Sequence, residues 1–152
     1  MIRIAYAKVA YDNRHDTLAN RQKHKEVEPV ARVLVIEDSD FARKIISKML
    51  RTGGHEVMEA EGGYQGVEQI EQFDPECITL DLLMPEMDGF EVLSTLKTKG
   101  LGAPVIVLSA DVQDTTKKKC EDLGAFEFIE KPADEKKLLN VVQRAIESKK
   151  GT

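Results

Sequence analysis

From Arg32 to the end of the chain, short runs of apolar and β-branched residues alternate with segments of helical periodicity. The runs at Val33 to Ile36, Glu56 to Ala60, Ile78 to Leu80, Val105 to Leu108 and Phe126 to Ile129 predict five strands. Three of them are nearly all apolar, the pattern of parallel strands buried on both faces. Between them lie helical stripes: Phe41, Ile45, Ile46, Met49 and Leu50; Val67, Ile70 and Phe73; and Phe90, Val92, Leu93 and Leu96. A weaker stripe has Cys120 and Leu123, and the last has Leu138, Leu139, Val142 and Ile146. Gly53-Gly54, Gly100 and Gly124 stand where helices should stop, and Asp88, Asp111 or Asp114, and Asp134 where they should start. The simplest architecture is an open parallel α/β sheet with helices on both faces.

Upstream of this regular part the pattern weakens. Residues 1–31 carry six Lys/Arg against four Asp/Glu, while the rest carries sixteen against twenty-three, within a total of −5. The stretch from Arg14 to Lys25 is polar and basic, Pro29 interrupts any helix, and Glu28 to Ala31 reads as a linker. Ile2, Ile4 and Tyr6 fit a strand, whereas Ile2, Tyr6 and Val9 fit a helix face, so periodicity leaves both open. The division is therefore an N-terminal extension, 1–31, and one domain, 32–150. The extension reads first as a disordered basic tail, and second as an element that pairs with another subunit, giving a monomer or a dimer.

Composition narrows the class. With 152 residues the chain buries roughly two-thirds of its unfolded surface without needing disulfides or structural metals. Its apolar runs fall far short of the ~18 residues of a membrane span, and the N-terminus shows no signal-peptide pattern, so a cytoplasmic protein without membrane contact is expected. Cys77 and Cys120 form no CxxC and read as inert thiols; His15, His24 and His55 are isolated, with no metal spacing. The acidic balance weighs against direct nucleic-acid binding. Gly62, Gly63 and Gly66 do not make a GxGxxG, and a nucleotide loop there carries little weight. The Lys117 to Lys119 run reads first as a solvated helix face.

In an open parallel sheet, ligands bind beyond the carboxyl ends of the strands. The first strand ends in Glu37-Asp38, the third in Asp81, the fourth in Ser109-Ala110 and the fifth in Lys131-Pro132. If these ends converge, three carboxylates crowd together, and a hard divalent ion with oxygen ligands, best Mg2+, would neutralise them. An ammonium such as Lys131 facing that ion suits the holding of a phosphoryl group, whose transfer depends mainly on positioning and charge neutralisation.

These residues resemble the receiver domain of two-component response regulators. The carriers are Glu37-Asp38 after VLVI, DLLMPEMDGFEVL from Asp81 to Leu93, VIVLSA from Val105 to Ala110, and Ile129-Glu130-Lys131-Pro132, over Arg32 to about Ser148. The resemblance is to the stand-alone, chemotaxis-regulator-like kind. It implies a flavodoxin-like, doubly wound sheet of five parallel strands in order 2-1-3-4-5 with five helices. It makes Asp81 the acceptor of a phosphoryl group from a sensor histidine kinase or phosphotransfer protein. Glu37, Asp38, Asp81 and the backbone carbonyl of Leu83 would hold Mg2+. Ser109 would be the switch hydroxyl, Lys131 a phosphoryl contact, Phe128 the aromatic switch position, and Lys131-Pro132 a cis peptide. Phe128 has no hydroxyl, so switching there would work by packing alone. Leu83 and Asp111 match positions that tune the lifetime of the phosphorylated state. The surface formed by the fourth helix, fifth strand and fifth helix, with Lys117 to Lys119, Glu127, Lys136 and Lys137, would answer to phosphorylation and bind a downstream target protein.

Taken singly, Glu37-Asp38 reads as a solvated capping turn, Ser109 as a loop hydroxyl and Lys131 as a surface cation; their joint placement favours the phosphorylation site. A phosphatase using Asp81 as nucleophile would want a DxD pair, and Asp81 is followed by Leu82-Leu83. A module that keeps only the fold would be expected to have lost an acid or Lys131. The chain ends soon after its last helix, so the expectation is a receiver without an output domain, not a turnover enzyme.

Overall fold

The computed structural model describes residues 31–150, and the readings of the N-terminal extension, with His15 and His24, lie outside the described residues. Five strands and five helices alternate: β1 (Arg32–Ile36), α1 (Asp40–Thr52), β2 (Glu56–Ala60), α2 (Gly63–Phe73), β3 (Cys77–Asp81), α3 (Gly89–Lys99), β4 (Val105–Ser109), α4 (Asp114–Asp122), β5 (Glu127–Glu130) and α5 (Glu135–Lys150). The strands form one parallel sheet in the order β2-β1-β3-β4-β5, as the resemblance implies. Chain direction across the sheet reverses between β1 and β3, and that is the position where a doubly wound sheet opens a cleft at its carboxyl edge.

The alternation of side chains divides the core into two layers. Leu34, Ile36, Ile78, Leu80 and Val107 face α2, α3 and α4. Val33, Val35, Ile106, Leu108 and Ile129 face the other way, against Ile46 and Leu50 of α1 and Leu138, Val142 and Ile146 of α5. β3 and β4 are buried along their whole length because helices cover both of their faces. Ala31 is also fully buried, and its carbonyl accepts a hydrogen bond from the Glu56 N–H at 2.9 Å, so the fold reaches into the segment read as linker.

The helix boundaries have local causes. Ser39 caps α1, its side chain accepting from the Ala42 N–H, and Asp88 caps α3 in a full capping box with Glu91. Gly100 ends α3 in the left-handed region, φ 67°. The residue at the cap of α4 is Gln113, while Asp111, one of the two expected caps, accepts the Gln113 N–H at 3.1 Å from the preceding loop.

One apolar stripe is corrected. Of the five residues expected on the inner face of α1, only Ile46 and Leu50 are buried, Phe41 is 76% exposed and Ile45 is exposed. The helix is rotated so that Arg43, Ile46, Ser47 and Leu50 make its inner face, since Arg43 and Ser47 bond to groups at the sheet edge. Phe73, at the outer end of α2, is likewise about half exposed. Gly66 packs so closely on Ile36 that an added Cβ would lie 2.5 Å from that side chain, and one on Gly63 would lie 2.7 Å from the Met87 carbonyl oxygen, which gives these two glycines a packing role.

Candidate functional site

The site is built at the carboxyl ends of β1, β3, β4 and β5. Because β1 and β3 are adjacent and parallel, Glu37 and Asp38 following β1 and Asp81 ending β3 arrive on the same edge. Ser109 ends β4, and the Lys131 N–H, just past β5, donates to the Ser109 carbonyl at 2.9 Å. Behind Asp81 the loop turns back onto the sheet, and the Gly89 N–H donates to the Leu82 carbonyl at 3.0 Å. A Cβ on Gly89 would stand 2.5 Å from the Asp81 carbonyl oxygen and 2.7 Å from the Leu82 Cα. Only glycine lets α3 start this close to the acid. Met84 and Met87 from the same loop are buried against the core, which fixes the loop from below, while the Leu83 side chain is 72% exposed.

Glu37, Asp38 and Asp81 each present an oxygen within 4.8 Å of the others. Glu37 is 2% exposed and Asp81 is buried, whereas Asp38 faces solvent. Lys131 enters the same space, its ammonium 2.7 Å from Glu37 Oε2 and 3.3 Å from Asp81 Oδ1. Glu37 Oε1 also accepts the Ser39 N–H at 3.3 Å, and Asp81 Oδ1 the Leu83 N–H at 3.4 Å. Ser109 is buried, its Oγ accepting the Asp111 N–H at 3.1 Å, and Asp111 is held in turn by the Thr116 hydroxyl at 2.7 Å. The Lys131-Pro132 peptide is cis.

Burial pushes the Glu37 carboxyl above the ordinary carboxylate range, the charge of Asp81 adds to this, and the bond from Lys131 draws it only partly back. Burial acts against the Lys131 ammonium, but Glu37 and Asp81 outweigh it and hold its pKa above the ordinary value. One lysine therefore faces an acid cluster with more negative charge than it can balance. The donors are all oxygens, few in number and partly open to water through Asp38, which fits Mg2+ better than a metal wanting nitrogen or sulfur.

The structure thus brings together Glu37, Asp38, Asp81, Ser109 and Lys131. Phe128 lies outside the acid cluster, half-buried against the core, with the Lys117 ammonium 5.7 Å from its ring centre. Beside Lys131 a groove of about 360 Å³ opens between α1 and the loop after β5, lined by Phe41, Ile45, Met49, Ala110, Pro132 and Ala133.

Arg43 joins the site without standing out in the apolar pattern: its buried guanidinium donates to the Glu37 carbonyl at 2.9 Å. The signal for it was present, because Arg43, Ile46 and Leu50 stand three and four residues apart, and a charged residue in register with an apolar face must have a buried partner.

Comparison with known proteins agrees with this geometry. Residues 33–143 match the family described as the response regulator receiver domain. The chemotaxis protein CheY of Bacillus subtilis is 34% identical over 116 residues, covering 76% of this chain and 97% of that protein. CheY of Treponema pallidum is 39% identical over 111 residues, 71% of this chain and 77% of that protein. Among solved structures, the Vibrio cholerae chemotaxis protein CheY4 superimposes with a TM-score of 0.71 at 27% identity, covering 76% of this chain and 98% of that one.

Proposed function

The chain belongs to the response regulator receiver family, and on that premise we propose that it is a phosphoacceptor signalling protein in which Asp81 receives the phosphoryl group. The observation that carries this reading is the buried Asp81 carboxylate, linked to Glu37 through the shared ammonium of Lys131 at the carboxyl edge of the sheet, with Ser109 on the neighbouring strand end. The donor is a sensor histidine kinase or phosphotransfer protein, and the exposed Phe41 and Ile45 beside the cleft offer it an apolar contact. In the transfer an Asp81 oxygen attacks phosphorus, the O–P bond forms as the P–N bond to the donor imidazole breaks, and the imidazole leaves with the electron pair. Glu37, Asp38, Asp81 and the Leu83 carbonyl would hold Mg2+, which supplies the charge neutralisation that lets a carboxylate and a phosphoryl group approach.

The other residues act on the product. Lys131, already 3.3 Å from Asp81, contacts one phosphoryl oxygen, and the Ser109 hydroxyl donates to another. The acyl phosphate carries about −1.5 to −2 charges where the carboxylate carried one, and it adds strong acceptor oxygens to the cleft; meeting them moves the loop that begins at Ser109. Phe128 adjusts by packing, which biases the surface of α4, β5 and α5 toward a form that a downstream target binds better. The match to nearly the whole of the Bacillus chemotaxis relative favours action through a separate partner protein; among the described residues no helix is long and apolar enough to cross a membrane.

The test is intact mass after incubation with a small phosphodonor and Mg2+. A single phosphoryl adduct is expected, absent in Asp81→Asn and absent when magnesium is removed. An adduct that survives Asp81→Asn overturns the assignment of the acceptor.

A further inference from the structure

We propose that Arg43 is a positioning residue for the magnesium site, holding the Glu37-Asp38 backbone from behind and setting how tightly the acid cluster takes up the ion. The inference rests on the reading of that cluster given above.

Glu37 is fixed on several sides. Its N–H donates to the Ala60 carbonyl at the end of β2, 3.1 Å, and its carbonyl accepts from Arg43 Nη1 at 2.9 Å. The same guanidinium donates through Nη2 to Asp40 Oδ1, and the Arg43 N–H donates to the Ser39 carbonyl at 2.8 Å. One side chain thus closes the loop from Glu37 to Asp40 onto the first turn of α1, with Asp38 held at the open side of the loop. Farther out, Glu61 lies 3.6 Å from Nη2 and Glu59 3.8 Å from Nε, and Glu59 is itself bonded by the Ser47 hydroxyl at 2.9 Å. The Arg43 side chain is 9% exposed.

The chemistry calls for a guanidinium. A buried cation is costly unless its donors are matched, and here the planar fork meets the Glu37 carbonyl on one nitrogen and Asp40 on the next. A lysine ammonium at the same place keeps the charge but is a single point, and does not bridge both acceptors with that geometry. Its loss would free the loop that carries two of the acids, so oxygens now pre-arranged for an ion would have to be ordered when the ion binds.

The test is calorimetric titration of Mg2+ into the full chain and its variants, with amide hydrogen exchange at Ser39 in metal-free protein as a second readout. Arg43→Met is expected to weaken Mg2+ binding about 10- to 100-fold, Arg43→Lys at least about threefold, and Glu59→Gln, which spares the bond to Glu37, less than about twofold. Ser39 exchange should quicken in the two Arg43 variants before any metal is added. If Arg43→Met does not reach a native fold, Arg43→Lys decides. Binding as tight as wild type in Arg43→Lys, or a loss in Glu59→Gln as large as in Arg43→Met, overturns the inference, because charge in the neighbourhood would then be what matters. A wild-type chain that takes up no Mg2+ overturns the reading of the site and this inference with it, whereas equal binding by wild type and Arg43→Met overturns the inference alone.

Discussion

The two edges of the sheet bury polar groups in opposite ways. At the carboxyl edge, Glu37 and Asp81 are buried as acids with Lys131 between them, and the arrangement holds more negative charge than one ammonium offsets. At the amino edge, His55 enters just before β2 with its N–H bonded to the Leu50 carbonyl at 3.1 Å, its side chain buried and its Nδ1 without a partner among the described residues. Burial alone pushes the imidazole below its ordinary pKa and keeps it neutral. The fold accommodates a lone titratable group at the amino edge by discharging it. At the other edge it holds two buried acids against one shared ammonium. That difference fits the proposed phosphoacceptor role of the carboxyl edge, where two acids crowd against a single cation.

Breaking the set should produce the largest effect. Lys131→Met leaves Glu37 and Asp81 facing each other without a cation, and the expected loss in urea denaturation near pH 7 is about 2–4 kcal/mol, below the fully buried case because the Lys131 side chain is 23% exposed. Saturating Mg2+ should return part of that loss. A variant as stable as wild type in metal-free buffer would mean that the ammonium balances nothing. Asp81→Asn works in the opposite direction: it removes one negative charge and leaves Glu37 and Lys131 as a matched pair. We expect it to stabilise the metal-free protein by about 1 kcal/mol while its melting temperature becomes much less responsive to Mg2+. A destabilised Asp81→Asn with wild-type response to the ion would remove the contrast between the two edges.

The sheet and most of the cleft were legible because their signals are local and repeated. The strands that feed the cleft are short, mostly apolar runs with a polar residue at or just past the carboxyl end, and parallel order then carries Glu37, Asp81, Ser109 and Lys131 to one edge with no further information. What was not legible depends on rotation about a helix axis. Phe41 and Ile45 satisfy the spacing of a buried stripe as well as Ile46 and Leu50 do, and the choice between faces is made by the bonds of Arg43 to Glu37 and of Ser47 to Glu59. Those partners lie six and twelve residues away across a turn, beyond the reach of helical periodicity. The cap of α4 escaped for a related reason. Asp111 has the side chain of a cap but is drawn away by Thr116 and Gln113, leaving Gln113 at the position itself.

The smallest expected effect lies at the amino edge and gives the sign that separates it from the cleft. Since the folded His55 pKa is lowered, the unfolded chain binds a proton at His55 more readily than the folded one. Stability from this group is therefore complete above the unfolded value of about 6.5 and is lost as pH falls through that value toward the lower folded one. For one proton the slope cannot exceed about 1.4 kcal/mol per pH unit. Glu37, whose folded pKa is raised, has the reverse sign: its ionised form is disfavoured in the fold, so between the unfolded value and the raised one its contribution falls as pH rises. Urea denaturation of wild type and His55→Gln at pH 7.5, 6.5 and 5.5 should therefore show wild type losing stability on acidification and the variant losing less. Parallel curves would mean that the imidazole finds a proton acceptor when it charges, and that the amino edge, like the cleft, holds its polar group by pairing.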